Sequence, residues 1–311
     1  MFPSGELFYD VTSALSRGAR AHQEDAVVAD FPVGADLGFV VLADGMGGHA
    51  AGDVASKIVV TEVFSELKMR SDDRERLVGN LPGILREAAL SANECVRFHT
   101  EHNPETEGMG TTLLAPVLLK DSLYWISVGD SPLYLFRDGT LIRLNEDHSM
   151  APQIEYMVRT GEMDFETGEN HPDRNCLTSV LIGDDIAQID CPAQPVRMLE
   201  GDILIAASDG VQFLSDEQIA DVLEPLADSS SGEICAGMMA ALEALDDPDQ
   251  DNISLCVVRV TADQRLTPSA APVARTLTRD PEQSGEGVAF MARATSSGKV
   301  VAYRVSMEKS A

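Results

Sequence analysis

Three separate apolar runs in this chain end in an acidic residue, and that recurrence constrains the fold more than any other feature. Phe39-Val40-Val41-Leu42-Ala43 stops at Asp44, Ile126-Ser127-Val128-Gly129 stops at Asp130, and Ile203-Leu204-Ile205-Ala206-Ala207-Ser208 stops at Asp209. Short, nearly continuous apolar runs read as strands inside a core, so each carboxylate falls at a core rim. A single Asp there is ordinarily a turn former or a helix cap. Its repetition at strand ends points instead to a shared site for hard cations. A fourth acidic stretch, Asp246-Asp247-Pro248-Asp249-Gln250-Asp251-Asn252, precedes the run from Ile253 to Val258 and brings Asp251 into the same set. After Asp44 a glycine-rich loop leads into a helix with Ala55, Ile58, Val59, Val63 and Leu67 on one face.

The chain has 311 residues, 44% of them hydrophobic, enough for one large core and an extension rather than two equal halves. With 23 basic against 51 acidic residues the formal charge is −28, which argues against nucleic-acid backbones and anionic membranes as partners. The acidic excess is first of all a solvated surface and says nothing about metals. Cys95, Cys176, Cys191, Cys235 and Cys256 are scattered, without a C-x-x-C pair, and read as small core residues in a reducing compartment. There is neither a basic start followed by an apolar segment nor a window approaching the ~18 apolar residues of a membrane span. A cytoplasmic location is the expectation.

Residues 8–15 and 26–31 read as strands flanking the polar run Ser16-Arg17-Gly18-Ala19-Arg20-Ala21-His22-Gln23-Glu24-Asp25. The first helix extends to about Met69, and a second, from about Leu81, places Leu85, Ala88, Ala92, Val96 and His99 in step. From Gly110 short β-rich runs follow: residues 111–114, 124–128, 133–137 and 140–144, the last two joined by Asp138-Gly139, a strong hairpin signal that needs no function. Residues 149–183 are polar and weakly periodic, as in a mobile excursion. Ser215-Asp216-Glu217-Gln218 fits a capping box, and Ile234, Met238, Leu242 and Leu245 mark another helix. After the run from Ile253 to Val260, residues 262–285 read as a linker. Two apolar runs, residues 288–293 and 300–305, could pair as a hairpin that needs support from the domain or a partner.

If Asp44, Asp130, Asp209 and Asp251 converge, an all-oxygen set favours Mg²⁺ or Mn²⁺ over zinc. A carboxylate can bridge two ions, and two ions ~3.5–4 Å apart can ionise a water for in-line attack on phosphorus. Glu24 and Asp25 could hold waters of that shell. Arg20 could grip a phosphate with its planar fork, although for an arginine taken alone a surface salt bridge is the more ordinary role. Two rival readings remain. Gly45-Met46-Gly47-Gly48-His49-Ala50 fits a dinucleotide fingerprint, G-x-G-x-x-A, but no parallel strand ending in an acid follows it. A phosphoprotein-binding module without turnover would differ from an enzyme in lacking part of the acidic set, which here is complete.

The segments Arg20-Ala21-His22-Gln23-Glu24-Asp25, Asp44-Gly45-Met46-Gly47-Gly48-His49, Gly110-Thr111-Thr112, Val128-Gly129-Asp130-Ser131, Asp147-His148-Ser149, His171-Pro172-Asp173-Arg174-Asn175, Ala207-Ser208-Asp209-Gly210 and Asp251-Asn252-Ile253-Ser254 resemble, in order, the motifs of bacterial PP2C (PPM) metal-dependent protein phosphatases. The resemblance covers about residues 8–260. It implies an α+β fold, a four-layer α-β-β-α sandwich of two antiparallel sheets flanked by helix pairs, as a phosphatase domain over residues 1–261 with a flap at about 150–182. Residues 262–311 would be a linker and β-hairpin extension.

It further implies a serine/threonine phosphatase acting by direct attack of a metal-bridged water, on phosphorylated proteins supplied by a Ser/Thr kinase. Asp44 would bridge two Mn²⁺ or Mg²⁺ ions, joined by the Gly45 carbonyl, with Asp209 and Asp251 on the other ion and Asp130 with Asp209 at a weaker third. Arg20 would bind the substrate phosphate, and Glu24, Asp25 and Asn252 would act through water or hydrogen bonds. Departures from the family pattern are His22-Gln23 before Glu24-Asp25, Pro132 in place of a frequent Arg, and Met46 where some members carry a His proposed as general acid. His49 and His148 are candidate substitutes for that acid, each more simply read as structural.

Overall fold

A computed structural model describes residues 7–32, 36–47, 51–71, 74–262, 289–294 and 300–305. The N-terminal half runs β1 (Phe8–Ser16), β2 (Ala26–Asp30), β3 (Leu37–Ala43), β4 (Gly45–Met46), α1 (Ala51–Arg70), α2 (Arg74–His102), β5 (Gly110–Thr111), β6 (Leu113–Leu119), β7 (Ser122–Val128), β8 (Leu133–Arg137) and β9 (Thr140–Arg143). Then come α3 (Ala151–Thr160), α4 (Phe165–Glu169), β10 (Val196–Arg197), β11 (Ile203–Ala207), α5 (Asp216–Leu223), α6 (Ser231–Ala244), β12 (Ile253–Thr261), β13 (Ala289–Ala294) and β14 (Val300–Val305).

Strands β14-β13-β1-β12-β11-β8-β9 form one sheet and β10-β7-β6-β3-β2 a second, with a small β4-β5 ladder beside them. All of these pairings are antiparallel. Alternation along each strand explains why the runs are apolar throughout. Val40, Leu42, Leu114, Leu204, Cys256 and Val258 fill the space between the sheets. The intervening residues Phe39, Val41, Ala115 and Val117 pack on α1 and α2, and Ile203, Ile205, Leu255 and Val257 pack on α5 and α6. The result is the four-layer α-β-β-α sandwich. Its antiparallel pairing also removes the dinucleotide reading, because Gly45 and Met46 pair with β5 instead of opening a parallel βαβ unit.

Several local expectations need revision. Strand β6 continues past Leu114 to Leu119, through Pro116, although proline disfavours an interior strand. Bridges between β3 and β6 hold at Phe39↔Val117 and Leu42↔Leu114 but not in between, where Pro116 has no N–H to give. Helix α2 starts seven residues before Leu81, at Arg74, and breaks at Asn80 (φ −152, ψ 33) just ahead of Pro82, so the reading from Leu81 found its second segment. Residues 149–183 hold two short helices, α3 and α4, with Ile154 buried beneath them. Leu245 lies past the end of α6 and is 37% exposed.

The Asp138-Gly139 turn has positive φ at both residues (50 and 76), as a tight hairpin demands. The capping box at Ser215 and Gln218 is present, and α6 has a second at Ser230 and Glu233. Of the expected linker, residues 263–288 lie outside the described residues. The backbone of β13 pairs with β1 at Leu15↔Phe290, Ala14↔Met291 and Ser13↔Ala292, so the hairpin extends the larger sheet. Among the described residues no helix is long and apolar enough to cross a membrane.

Leu42→Ala, between the sheets, is expected to lower unfolding free energy by about 2–5 kcal/mol. Met69→Ala, at a residue 79% exposed, should change it by no more than about 0.5 kcal/mol. Urea unfolding midpoints of the two variants check both.

Candidate active site

The carboxylates reach one region because each strand end is fixed by a separate long-range device. The Asp44 N–H donates to Thr112 Oγ1 (2.9 Å), and its carbonyl accepts from the Thr112 N–H (2.9 Å) and Thr111 Oγ1 (2.7 Å). Gly110-Thr111-Thr112 is thus a socket for the Asp44 backbone. A Cβ at Gly45 would lie 2.1 Å from the Gly52 carbonyl oxygen and 2.6 Å from that of Glu24, so only glycine lets the chain pass.

Gly129, at φ +104, is clamped by His148, whose N–H donates to the Gly129 carbonyl (3.1 Å) and whose Nδ1 accepts from the Gly129 N–H (3.2 Å). Arg143 Nη2 donates to the Asp130 carbonyl (2.6 Å) while Nη1 pairs with Asp147 (3.0 Å). Asp209 opens a 3₁₀ turn directly after β11. Before it, Ser208 Oγ donates to Asp25 Oδ2 (2.7 Å) and accepts from the Ser254 N–H (2.9 Å), joining β11, β12 and the Asp25 loop.

Asn252 organises that loop. Its side-chain oxygen accepts from the Glu24 N–H (2.7 Å), and its Nδ2 donates to the carbonyls of Arg17 (2.8 Å) and His22 (2.9 Å). Gln23 braces the same turn, donating to the Ser16 carbonyl (3.0 Å) and accepting from the Asp25 N–H (3.3 Å), so the longer side chain has a structural use here. Arg20 projects with 58% of its side chain exposed and pairs with Asp251 (2.6 Å).

Asp44 is flanked by Asp25, Asp209 and Asp130, whose charges all act on it. Burial pushes the Asp25 carboxyl up to about 7, helped by the charge of Asp209 and opposed by the Ser208 hydroxyl. Burial likewise takes Asp130 up to about 7, with Asp209 and Asp147 adding to it. Asp44 is raised well above the usual carboxylate range by burial and then by Asp25, Asp209 and Asp130. Asp209 is raised by burial and by Asp251. Glu24 is raised by burial, with His22 and Arg20 opposing.

Among the described residues no three acidic, histidine or cysteine side chains form a closed ligand cage. The carboxylates instead share one desolvated space and repel one another. Asp25 Oδ1 and Asp209 Oδ1 are buried without a hydrogen-bond partner. Hard oxygen donors, unmatched buried negative charge and orphaned oxygens suit a divalent cation of the Mg²⁺ or Mn²⁺ type. Beside Asp130 and Asp209 a cavity of about 560 Å³ opens between α3 and the start of α5.

Of the residues expected from sequence, the structure brings Asp44, Asp25, Asp130 and Asp209 together, with Arg20 and Glu24 on the β1–β2 loop and Asp251 and Asn252 on the loop before β12 beside them. His148 is 1% exposed and committed to Gly129; His49 lies outside the described residues. Sequence reasoning missed what Thr111, Thr112, Ser208 and Arg143 do. The first three sit in quoted motifs, but their partners are remote in the chain.

For chelator-treated protein the raised carboxyls set a sign for pH. Asp25 and Asp130 bind a proton more tightly folded than unfolded, so their contribution to stability is complete below about pH 4 and is lost as pH rises through about 7. Thermal unfolding from pH 5 to 8 should therefore show a falling midpoint with chelator, and saturating Mn²⁺ should restore most of it at pH 8. Asn252→Ala, which strands three partners, should cost about 2–4 kcal/mol by urea unfolding.

Comparison with known proteins agrees with this geometry. A family profile, protein phosphatase 2C, matches residues 12–246. The serine/threonine protein phosphatase PstP of Mycobacterium tuberculosis is 35% identical over 207 residues, 66% of this chain and 37% of its own length, so the chain spans little more than a third of that relative. The serine/threonine phosphatase stp of Listeria welshimeri is 33% identical over 189 residues, 60% of this chain and 71% of its own. A crystal structure of the PstP catalytic domain in complex with two manganese ions superposes with a TM-score of 0.65 at 29% identity, covering 82% of this chain and 99% of that one. The chain belongs to the protein phosphatase 2C family.

Proposed function

We propose that this chain is a metal-dependent protein phosphatase that hydrolyses phosphoserine and phosphothreonine esters. The observation that carries the reading is the set of buried, mutually repelling carboxylates at the ends of β3, β7 and β11, with unpartnered oxygens and an exposed arginine on the neighbouring loop.

In this reading Asp44, the Gly45 carbonyl, Asp209 and Asp251 would hold two ions, with Asp44 shared between them, and Asp130 with Asp209 would offer a weaker third position. The two manganese ions of the PstP catalytic domain support a two-ion centre. Bound Mn²⁺ or Mg²⁺ supplies an ionised water at neutral pH and neutralises charge on the phosphoryl group. The chain's own residues do the rest. Asp44, Gly45 and Thr112 present a preorganised edge whose backbone cannot shift, which fixes the direction of attack. Asp25 and Glu24 hold and orient water through hydrogen bonds, and Asn252 keeps their loop in place. Arg20 offers two parallel donors to the phosphate oxygens. When Asp251 serves as a ligand its charge is shared, and its hold on Arg20 relaxes in favour of the substrate. His148, buried and accepting from the Gly129 N–H through Nδ1, is read as structural and not as the proton donor to the leaving alcohol.

The substrates would be phosphoproteins made by a Ser/Thr kinase, in a cytoplasmic setting. All five cysteines are free thiols, which supports a reducing compartment.

Purified protein with Mn²⁺ should dephosphorylate a phosphothreonine peptide and stop with chelator. Asp44→Ala should lose about 10³-fold or more in kcat, and Asp209→Asn should raise the Mn²⁺ concentration for half-maximal rate by about 10–100-fold. Arg20→Ala should act mainly on KM, by about tenfold or more. An Asp209→Asn enzyme with full activity and unchanged metal demand would contradict the assignment.

A further inference from the structure

The cavity beside Asp130 and Asp209 has a charge pattern of its own. Its walls carry five carboxylates and two arginines. Asp130 and Asp209 belong to the reaction centre proposed above. Asp147 is neutralised by Arg143 (3.0 Å). Glu155, on flap helix α3, pairs with Arg174 (2.7 Å), which also reaches Glu169 of α4 (3.8 Å). Asp216, in the first turn of α5, has among the described residues only the neutral Tyr134 hydroxyl as its side-chain partner (2.9 Å). Both guanidinium groups are thus engaged, while one carboxylate is uncompensated and another, Glu155, is 62% exposed and held at a single point.

With cations held at Asp130 and Asp209, an anionic occupant would still have to break an existing ion pair and lie against Asp216. A cationic one meets attraction from every free group. The volume, about 560 Å³, is ample for one long side chain with its water. Because the cavity shares Asp130 and Asp209 with the reaction centre, whatever fills it lies beside the phosphorylated residue.

We propose that this cavity is the subsite for a residue flanking the phosphorylated one, that it takes a lysine or arginine side chain, and that Asp216 together with Glu155 of the flap reads it. The proposal rests on the phosphatase reading and adds a substrate class, phosphoproteins with a basic residue close to the phosphosite.

The test uses the full chain with Mn²⁺ and phosphothreonine peptides that differ only in carrying arginine, alanine or glutamate at one position, moved from two before to two after the phosphothreonine. At one of these positions the arginine peptide should exceed the glutamate peptide in kcat/KM by about tenfold, chiefly through KM. Asp216→Asn, which keeps an acceptor for Tyr134, should bring that ratio to about threefold. The double variant with Glu155→Gln, which also frees Arg174, should bring it to unity or reverse it. The ratio is taken within each variant, so a general loss of activity leaves it readable. A wild-type ratio of one or less at every position, or a ratio that survives the double variant, overturns the proposal. If no peptide is hydrolysed the reaction reading falls, and the arginine-to-glutamate affinity ratio of the same peptides by fluorescence anisotropy still decides the subsite.

Discussion

Carboxylates buried next to carboxylates are expensive, and the rest of this structure is arranged around that expense. Removing an ionised acid from water is costly unless a counter-charge or hydrogen bonds replace the solvent. Asp25, Asp44, Asp130 and Asp209 are buried with each other as neighbours, and burial together with mutual repulsion raises all four carboxyls, Asp25 and Asp130 to about 7. Protons relieve the repulsion partly; a divalent cation relieves it more completely, because one ion compensates several oxygens at once. The site is a place where folding stability has been given up so that cation binding can return it.

The sandwich supplies the rigidity this requires. Asp44, Asp130 and Asp209 each follow a strand whose side chains are buried on both faces, so the carboxylates ride on the least deformable part of the molecule. Positions close to the strand ends are then set by contacts distant in sequence: the Thr112 socket for Asp44, the His148 clamp for Gly129, and the Ser208 bridge to Asp25. Asn252 ties the Arg20 loop to β12 with three hydrogen bonds. The tight approach of Gly45 to the Gly52 and Glu24 carbonyls closes the ring of supports. The segment carrying α3 and α4 differs in kind. Its helices are joined by surface ion pairs through Arg174, which constrain it less than the buried contacts of the strands.

Much of this was legible in the sequence because burial on two faces leaves a strong signature. The runs before Asp44, Asp130 and Asp209 could be read as strands since neither side of them meets water, and the helix faces of α1 and α6 followed from period. Asp138-Gly139 forms the hairpin turn that its dipeptide signals. What could not be read depends on partners far along the chain. Thr111 and Thr112 look like ordinary strand residues until Asp44, some seventy positions away, is placed against them. Pro116 argues against an interior strand, and only the missing bridges opposite Val40 and Val41 show how it is accommodated. The flap helices were hidden by exposure, since among the residues of α3 only Ile154 is buried. Arg20 pairs with Asp251, the more ordinary of the two roles its sequence context allows, and the proposed hold on phosphate has no counterpart among these contacts.

The central claim is that protons and divalent cations compete for one buried carboxylate set. Calorimetric titration of Mn²⁺ at pH 7, repeated in buffers of different ionisation enthalpy, measures that competition directly. Net proton release on binding is predicted, present in the wild type and diminished in Asp44→Asn. Binding heats that are the same in every buffer, or no binding at all, would contradict it.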